Sequence, residues 1–447
     1  MLMFKKGISL VLVVLMLLSV LAGCSTPASK DDTTKENVEQ AGEKAAETTD
    51  DKVVTIEYWQ YFYESKIKLI DELIAEFEAA NPGIKVVHKN FPYDSYEQKV
   101  AAAIASNSGP DIINLFYGWV PKYVKAGILQ ELPTDVFSHE LIETEFAPMV
   151  QVNKIDGKYY TIPTAVRTLA LFWNKDLFTE FGLDPEVPPT TLDEMLEMAK
   201  KTTKRENGEL IIEGMTYQPS GQLHAWFRPV LLKQFGQEPM DAENKKVLWN
   251  GSEAGYEAFE YFIDLTKEHQ VGENNFYTDD VTAFMSGKAA MHIDGSYRLG
   301  TLDANAEDLN YGVAPLPSYN GVQTSFASFW TNGITKNATG DKLEAATKFL
   351  EFLTSEEVMK RWTKDVGEIG AKVAIANDEE LLEDKNLRPF IEQLPNSISY
   401  FYIDETADRK ALIDAIDKVV LNDVDPRVAL DEAVAEVQKL LDEYWSK

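Results

Sequence analysis

Val53-Val54-Thr55-Ile56-Glu57-Tyr58-Trp59 is dense in β-branched and aromatic residues and reads as a strand. Ile67, Ile70, Ile74 and Phe77 then recur at helical spacing, and Asn81-Pro82-Gly83 stops that helix. Residues 84–87 form a second strand and residues 99–107 a second helix. Gly109-Pro110 breaks it, and Asp111-Ile112-Ile113-Asn114-Leu115 is a third strand. Strand, helix, strand, helix, strand specifies an α/β fold with a mostly parallel sheet covered by helices.

Further along, the pattern is more helical. Thr191-Leu192-Asp193-Glu194 resembles a capping box, followed by Met195, Leu196 and Ala199 on one face. Residues 255–268 and 281–286 read as helices, Met291-His292-Ile293 and residues 311–314 as short strands. Residues 341–353 are an amphipathic helix on Ala345, Ala346, Phe349, Leu350 and Leu353, and Ser355 caps the next one. The last helix carries Leu430, Val434, Val437 and Leu441 on one face. No internal repeat is present. The body from residue 52 onward is long for one core, so two lobes are expected. No Gly- or Pro-rich linker separates them, which predicts short strand crossings instead.

At the N-terminus, Lys5 and Lys6 precede an apolar run over residues 8–20, followed by Leu21-Ala22-Gly23-Cys24 with the chain's one cysteine. The run is too short to span a bilayer and ends in small residues, so residues 1–23 read as a signal peptide. Leu-Ala-Gly-Cys resembles the bacterial lipobox, in which the cysteine thiol is lipidated and becomes the new N-terminus. That implies export and anchoring by acyl chains at the outer face of the cytoplasmic membrane, each buried methylene adding about 0.8 kcal/mol. Residues 24–51 hold no aromatic residue and many Ser, Thr, Lys, Asp and Glu, the composition of a flexible tether. The body has no cysteine and needs no disulfide. A formal net charge of −30 argues against nucleic acid or an anionic membrane face as ligand.

The order of segments resembles the family-1 extracellular solute-binding proteins, the sugar-capturing lipoproteins of bacterial ABC importers, whose best-known member binds maltose. The residues that carry the likeness are Phe77-Glu78 through Asn81-Pro82-Gly83-Ile84-Lys85-Val86, Gly109-Pro110-Asp111-Ile112, and Ile162-Pro163-Thr164-Ala165 followed by Phe172-Trp173-Asn174-Lys175-Asp176-Leu177. It continues in Phe284-Met285-Ser286-Gly287-Lys288-Ala289-Ala290-Met291, Asp294-Gly295-Ser296 and Tyr311-Gly312-Val313-Ala314-Pro315-Leu316-Pro317, and ends in residues 346–357. The likeness spans nearly the whole body. It implies a two-lobed periplasmic-binding-protein-like fold with hinge crossings and an inter-lobe ligand cleft that closes on its solute. Crossings are implied near residues 165–169 and 326–335 and after Arg361. On this reading residues 52–166 and 287–330 form the first lobe, and 167–286 and 331–447 the second.

A sugar ring offers an apolar C–H face and a rim of hydroxyls, so its cleft needs flat aromatic faces and fixed polar groups. Such a cleft lies at the C-terminal ends of strands. The first strand ends in Trp59-Gln60-Tyr61-Phe62-Tyr63-Glu64 and the third in Phe116-Tyr117-Gly118-Trp119. Trp59 and Phe116 are expected to pack inward, and Tyr61, Tyr63, Tyr117 and Trp119 to face a ligand. By resemblance, Tyr297 occupies the position of a stacking tryptophan. Asp294 accepts sugar hydroxyls or caps a turn. Arg167 lies on the first crossing, where the maltose-binding member carries an acidic sugar contact. It could bind a carboxylate or phosphate, serve a neutral sugar, or pair with an acidic side chain in the crossing. Gln222, His224 and Trp226 match a second-lobe loop that reaches the ligand. Trp330 on the second crossing is a candidate cleft floor, and Tyr402 a candidate wall.

There is no P-loop, no Gly-x-Gly-x-x-Gly and no His-Glu-x-x-His, and the histidines are scattered without metal-ligand spacing. No Gly-x-Ser-x-Gly elbow is present. The expected function is therefore binding rather than catalysis, without cofactor or metal. The expected protein is a monomer that captures a mono- or oligosaccharide by lobe closure and delivers it to an ABC permease. A receptor that only presents sugar to a sensor, and a surface glycoside-active enzyme, are the alternatives.

Overall fold

The computed structural model describes residues 53–106 and 108–446. The expected signal peptide at 1–23, lipidated Cys24 and tether at 24–51 lie outside the described residues.

Strand β1 (Val54–Tyr61) lies inside the sheet. It leads into α1 (Glu64–Ala80), β2 (Ile84–Phe91), α2 (Tyr93–Ala105) and β3 (Ile112–Phe116). β1 runs parallel to β2 from Val54↔Ile84 to Tyr61↔Phe91, and parallel to β3 at Tyr58↔Ile112 and Trp59↔Ile113. The helical spacing in α1 holds for Ile70, Ile74 and Phe77, which are buried with Leu69 and Leu73, whereas Ile67 is half-buried. Helix α2 starts at Tyr93 rather than 99. Its first turns are polar and show no apolar period, but Pro92 sets the backbone for them at φ −52°.

The longest strand, β4 (Thr161–Asn174), extends through both halves of the molecule. After it come α3 (Gln222–Phe235), α4 (Glu253–Lys267), β5 (Met291–Gly295), β6 (Tyr311–Ala314) and β7 (Ala327–Ile334). Helices α5 (Asp341–Leu353) and α6 (Glu356–Val366) precede the two-residue β8 (Ile369–Gly370). The chain then turns through α7 (Arg388–Gln393) into α8 (Glu405–Asn422) and α9 (Pro426–Trp445). One eight-stranded sheet has the order β6-β4-β7-β3-β1-β2, with β5 and β8 also paired to β4. All pairings made by β4 and β7 are antiparallel, because these strands carry the chain back and forth between the lobes. The sheet is therefore mixed, and only its β1–β3 portion is parallel.

The pairing places two segments in ways that no local pattern announces. β5 and β6 bond to the second half of β4, at Leu169↔Gly295 through Trp173↔Met291 and at Leu171↔Ala314 through Asn174↔Tyr311, away from β1–β3. Helices α5 and α6 pack on β1 and α1. Residues 291–295 and 311–314 thus pair with the second half of β4, and residues 341–366 pack beside β1 and α1. The local patterns of both segments are as expected; which half-sheet they join is set by register along β4, which no local pattern encodes. The expected crossings fall on β4 near Arg167, on β7 near Ala327, and on the segment after α6, which holds Gly367, Glu368 and β8.

Caps expected from the sequence are in place. Thr191 Oγ1 accepts the Glu194 N–H at 3.1 Å, while the Glu194 carboxylate takes the N–H of Thr190 at 2.8 Å. Ser355 Oγ accepts the Val358 N–H.

One second-lobe carboxyl makes folding sensitive to pH. Glu213 is 1% exposed, and burial, with Asp280 nearby, pushes its carboxyl up to about 10 from an ordinary 4.5. Between those values the native state keeps a proton that the unfolded chain releases. The group's contribution is whole below pH 4.5 and is lost as pH rises toward 10, by at most about 1.4 kcal/mol per pH unit. Glu213→Gln is expected to gain stability over the parent as pH is raised from 5 to 8, measured by urea unfolding. A difference that stays constant across that range would contradict the assignment.

Candidate functional site

Two openings lead between the lobes. The larger, about 740 Å³, has Tyr63 and Lys68 of the first lobe facing Tyr297 and Thr301 of the second, with Gly367 and Leu387 from the third crossing. The smaller, about 430 Å³, has Trp119 and Lys122 facing Asp404, Ala407 and Lys410 at the start of α8. Both sit where β1 and β3 end, since residues at the C-terminal ends of parallel strands are freed from the ladder to face a crevice.

Between the openings lies an aromatic floor. The Trp330 ring lies 4.0 Å from Tyr61, tilted by 35°, and meets Trp119 edge-on at 5.4 Å, with Tyr93 and Phe116 at 6.1 Å. Trp226 of α3 closes on this floor from the second lobe, its ring parallel to Phe326 at 5.6 Å and to Phe116 at 6.2 Å. Tyr93 is 48% exposed and T-shaped to Tyr61 at 5.7 Å, which leaves one face of its ring to solvent.

Beneath Tyr63 and Tyr297 is an ionic cluster tying three elements together. Glu368, on the third crossing, accepts from Lys66 Nζ of α1 at 2.9 Å, from Arg167 on the first crossing, and from Trp362 Nε1 at 3.0 Å. Arg167 also donates to Tyr61 Oη at 2.9 Å and lies over the Tyr297 ring at 4.7 Å. Burial alone would raise the Glu368 carboxyl, but Arg167 and Lys66 together hold it down to about 2. Burial pushes the Lys66 ammonium down to about 7, with Glu368 opposing and Arg167 adding to the fall. A second, smaller pair lies alongside. Asp294 accepts from Arg298, from the Gly295 N–H at 2.7 Å and from His292 Nε2 at 3.2 Å, and Arg298 and His292 offset its burial and bring it to about 2.

Of the residues singled out in the sequence, Tyr63 and Tyr297 line the larger opening and Trp119 the smaller. Tyr61 and Trp330 form the floor. Trp59 and Phe116 pack inward, as expected. Arg167 takes the third of its possibilities, an acidic partner, and that partner is on another crossing. Gln222 stands half-buried at the start of α3, within reach of Glu405. Tyr117 is buried against Phe329 at 4.7 Å and against Tyr402 at 5.9 Å. Tyr402 in turn backs on Tyr400 at 4.7 Å. His224 points into the second lobe, where its Nε2 lies 2.5 Å from Asp280. Asp294 is buried in its own ion pair. Lys66, Tyr93, Arg298 and Glu368 are at the site without a sequence signal that set them apart. Lys66 and Glu368 read as ordinary charged positions, and only Tyr93, directly after Phe91-Pro92 at the end of the second strand, had a place that repeated the logic used for Tyr61 and Tyr117. Among the described residues no group of three His, Cys, Asp or Glu side chains stands ready for a metal ion, and no helix is long and apolar enough to cross a membrane.

Two α/β lobes joined by three crossings, with an aromatic crevice between them, define a two-lobed ligand-binding protein. The chain belongs to the bacterial extracellular solute-binding protein family, whose model matches residues 63–360. It is 24% identical over 396 residues to the maltotriose-binding protein of Pyrococcus abyssi (strain GE5 / Orsay), covering 84% of this chain and 79% of that one. It is 26% identical over 385 residues to the galactooligosaccharide-binding protein of Bacillus subtilis (strain 168), covering 83% and 86%. Its fold matches the crystal structure of the cyclic alpha-maltosyl-1,6-maltose binding protein from Arthrobacter globiformis with a TM-score of 0.77 and 23% identity, over 88% of this chain and 100% of that one.

Proposed function

We propose that this protein is the lipid-anchored receptor of an ABC importer, capturing a carbohydrate between its lobes and delivering it to a membrane permease. The observation that carries this is the pair of tyrosines, Tyr63 and Tyr297, facing one crevice from opposite lobes, beside a floor of packed rings. Rings on both sides can sandwich the C–H faces of a sugar, and the crevice, at about 740 Å³, has the size of a small-ligand site. Family membership and the saccharide-binding relatives support the same ligand class. Ligand that touches both lobes binds the closed form better and so draws the population toward it. Cys24 supplies the anchor and residues 24–51 the leash that keeps the lobes near the permease.

The test is a saccharide panel read by thermal shift, with solution scattering on each hit. A hit is expected to raise the melting temperature in a concentration-dependent way and to reduce the radius of gyration. A panel without any stabilising saccharide, or hits that bind with no compaction, would refute capture by closure. Loss of uptake of the same sugar on deletion of the gene would distinguish transport from sensing.

A further inference from the structure

Resting on the reading of the space between the lobes as a saccharide site, we infer that Glu405 is a specificity-determining residue. It accepts hydroxyl protons of the bound sugar, at a subsite formed with Gln222, Trp226 and Tyr93. The first turns of three helices meet there. Gln222 and Trp226 are one turn apart on α3, Glu405 and Arg409 on α8, and Tyr93 and Glu97 on α2. Residues four apart share a helix face. Helices α3 and α8 pack together, and Gln222 is within reach of Glu405. From the first lobe, Glu97 and Trp119 line the smaller opening opposite Asp404 and Thr406, the chain neighbours of Glu405. The Tyr93 hydroxyl is pushed up by burial first and by the Glu405 carboxylate next, with Arg409 opposing, which places that pair beside it. The ring contacts complete the enclosure: Trp226 lies parallel to Phe116, Phe116 beside Trp330, and Trp330 beside Tyr93.

Two buried polar atoms here lack a hydrogen-bond partner among the described residues. Glu405 is 5% exposed, and its Oε1 accepts no hydrogen bond; Arg409 Nε stands off at 3.8 Å. Trp226 is 2% exposed, and its Nε1 donates to nothing. Leaving such atoms unpaired carries a desolvation cost that a ligand can relieve. A carboxylate only accepts and an indole N–H only donates, whereas a hydroxyl does both. Sugar hydroxyls therefore answer both atoms. Tyr93, with one ring face open, supplies the apolar surface for the C–H side of the same sugar. Burial raises the Glu405 carboxyl, Arg409 and Gln222 oppose the rise, and Asp404 and Glu97 add to it. Arg409 already offsets the charge of Glu405, so a neutral donor fits the remaining oxygen better than an ammonium.

Isothermal calorimetry tests this. The probes are glucose, galactose, mannose and xylose with their disaccharides, and the tightest is compared with its own monodeoxy analogues. The parent protein is expected to bind one such analogue about tenfold or more weakly than the full sugar, the effect of a hydrogen bond to a charged group. Glu405→Ala is expected to bind the full sugar as weakly as the parent binds that analogue, and to bind the two alike. Glu405→Gln, of the same shape, guards against a fold lost with the carboxylate and is expected to fall between. Such a cycle isolates one side chain against one hydroxyl, a signature that a structural role does not produce. Unchanged affinity in both variants, or a loss that is the same for every analogue, would overturn this inference and leave the saccharide reading standing. Glucosamine or galactosamine bound about tenfold more tightly than its hexose would overturn it too, by giving the carboxylate to an ammonium. Binding of no saccharide in the panel would remove both.

Discussion

Glu368→Ala is expected to destabilise the fold by about 3–5 kcal/mol, the usual cost of stranding buried charge by deleting one partner. Here one carboxylate serves two cations, so its loss leaves Lys66 and Arg167 facing each other among the rings of Tyr61, Trp330 and Trp362. It also removes the acceptor for Trp362 Nε1. Urea unfolding measures the loss, and Lys66→Met added to Glu368→Ala is expected to recover part of it. The same cluster sets an acid limit. Glu368 holds its charge down to about 2 in the fold against 4.5 in the unfolded chain, so its contribution is whole above 4.5 and disappears as pH falls toward 2. A loss below about 1 kcal/mol would mean that water, not Glu368, satisfies the two cations.

Tyr297→Ala is expected to weaken saccharide binding by about 30-fold or more, corresponding to roughly 2 kcal/mol for a ring at the centre of a contact. Tyr297→Phe is expected to retain most of the affinity, since stacking uses the face of the ring and not the hydroxyl. The substitution also removes the surface on which Arg167 rests. Calorimetry with the best ligand of the panel decides the matter: equal affinity in Tyr297→Ala and the parent would place the sugar away from this ring.

Much of the fold could be read along the chain because its elements are locally consistent. Asp341–Leu353 shows its apolar face at helical spacing, and that face is buried. Tyr311–Ala314 is a strand between turn signals. The capping residues of the helices at Leu192 and Glu356 announce themselves chemically. Lobe membership was not legible, because Met291–Gly295 would look the same whichever half of β4 it paired with. The candidate crevice was legible where it is aromatic. Rings crowded at strand ends are unusual, and Tyr61, Tyr63, Trp119 and Trp330 are all found around the crevice. Its ionic half was not. Lys66 and Glu368 lie 302 positions apart in the chain, and a lysine in a helix beside Ser65 and Lys68 has the pattern of a wetted position. Only tertiary structure turns that side chain inward.

The sheet that runs unbroken from β2 to β6 has a mechanical consequence. Cross-strand pairing holds β4 and β7 to each other from Thr161↔Gly333 to Thr168↔Ala327, with one register shift between Trp330 and Thr331. In the proposed closure, a rotation of one lobe is then shared as torsion among several ladder rungs on either side of that shift. Such a coupling behaves as a stiff torsion spring, which limits the angle swept and drives recoil once the load is gone.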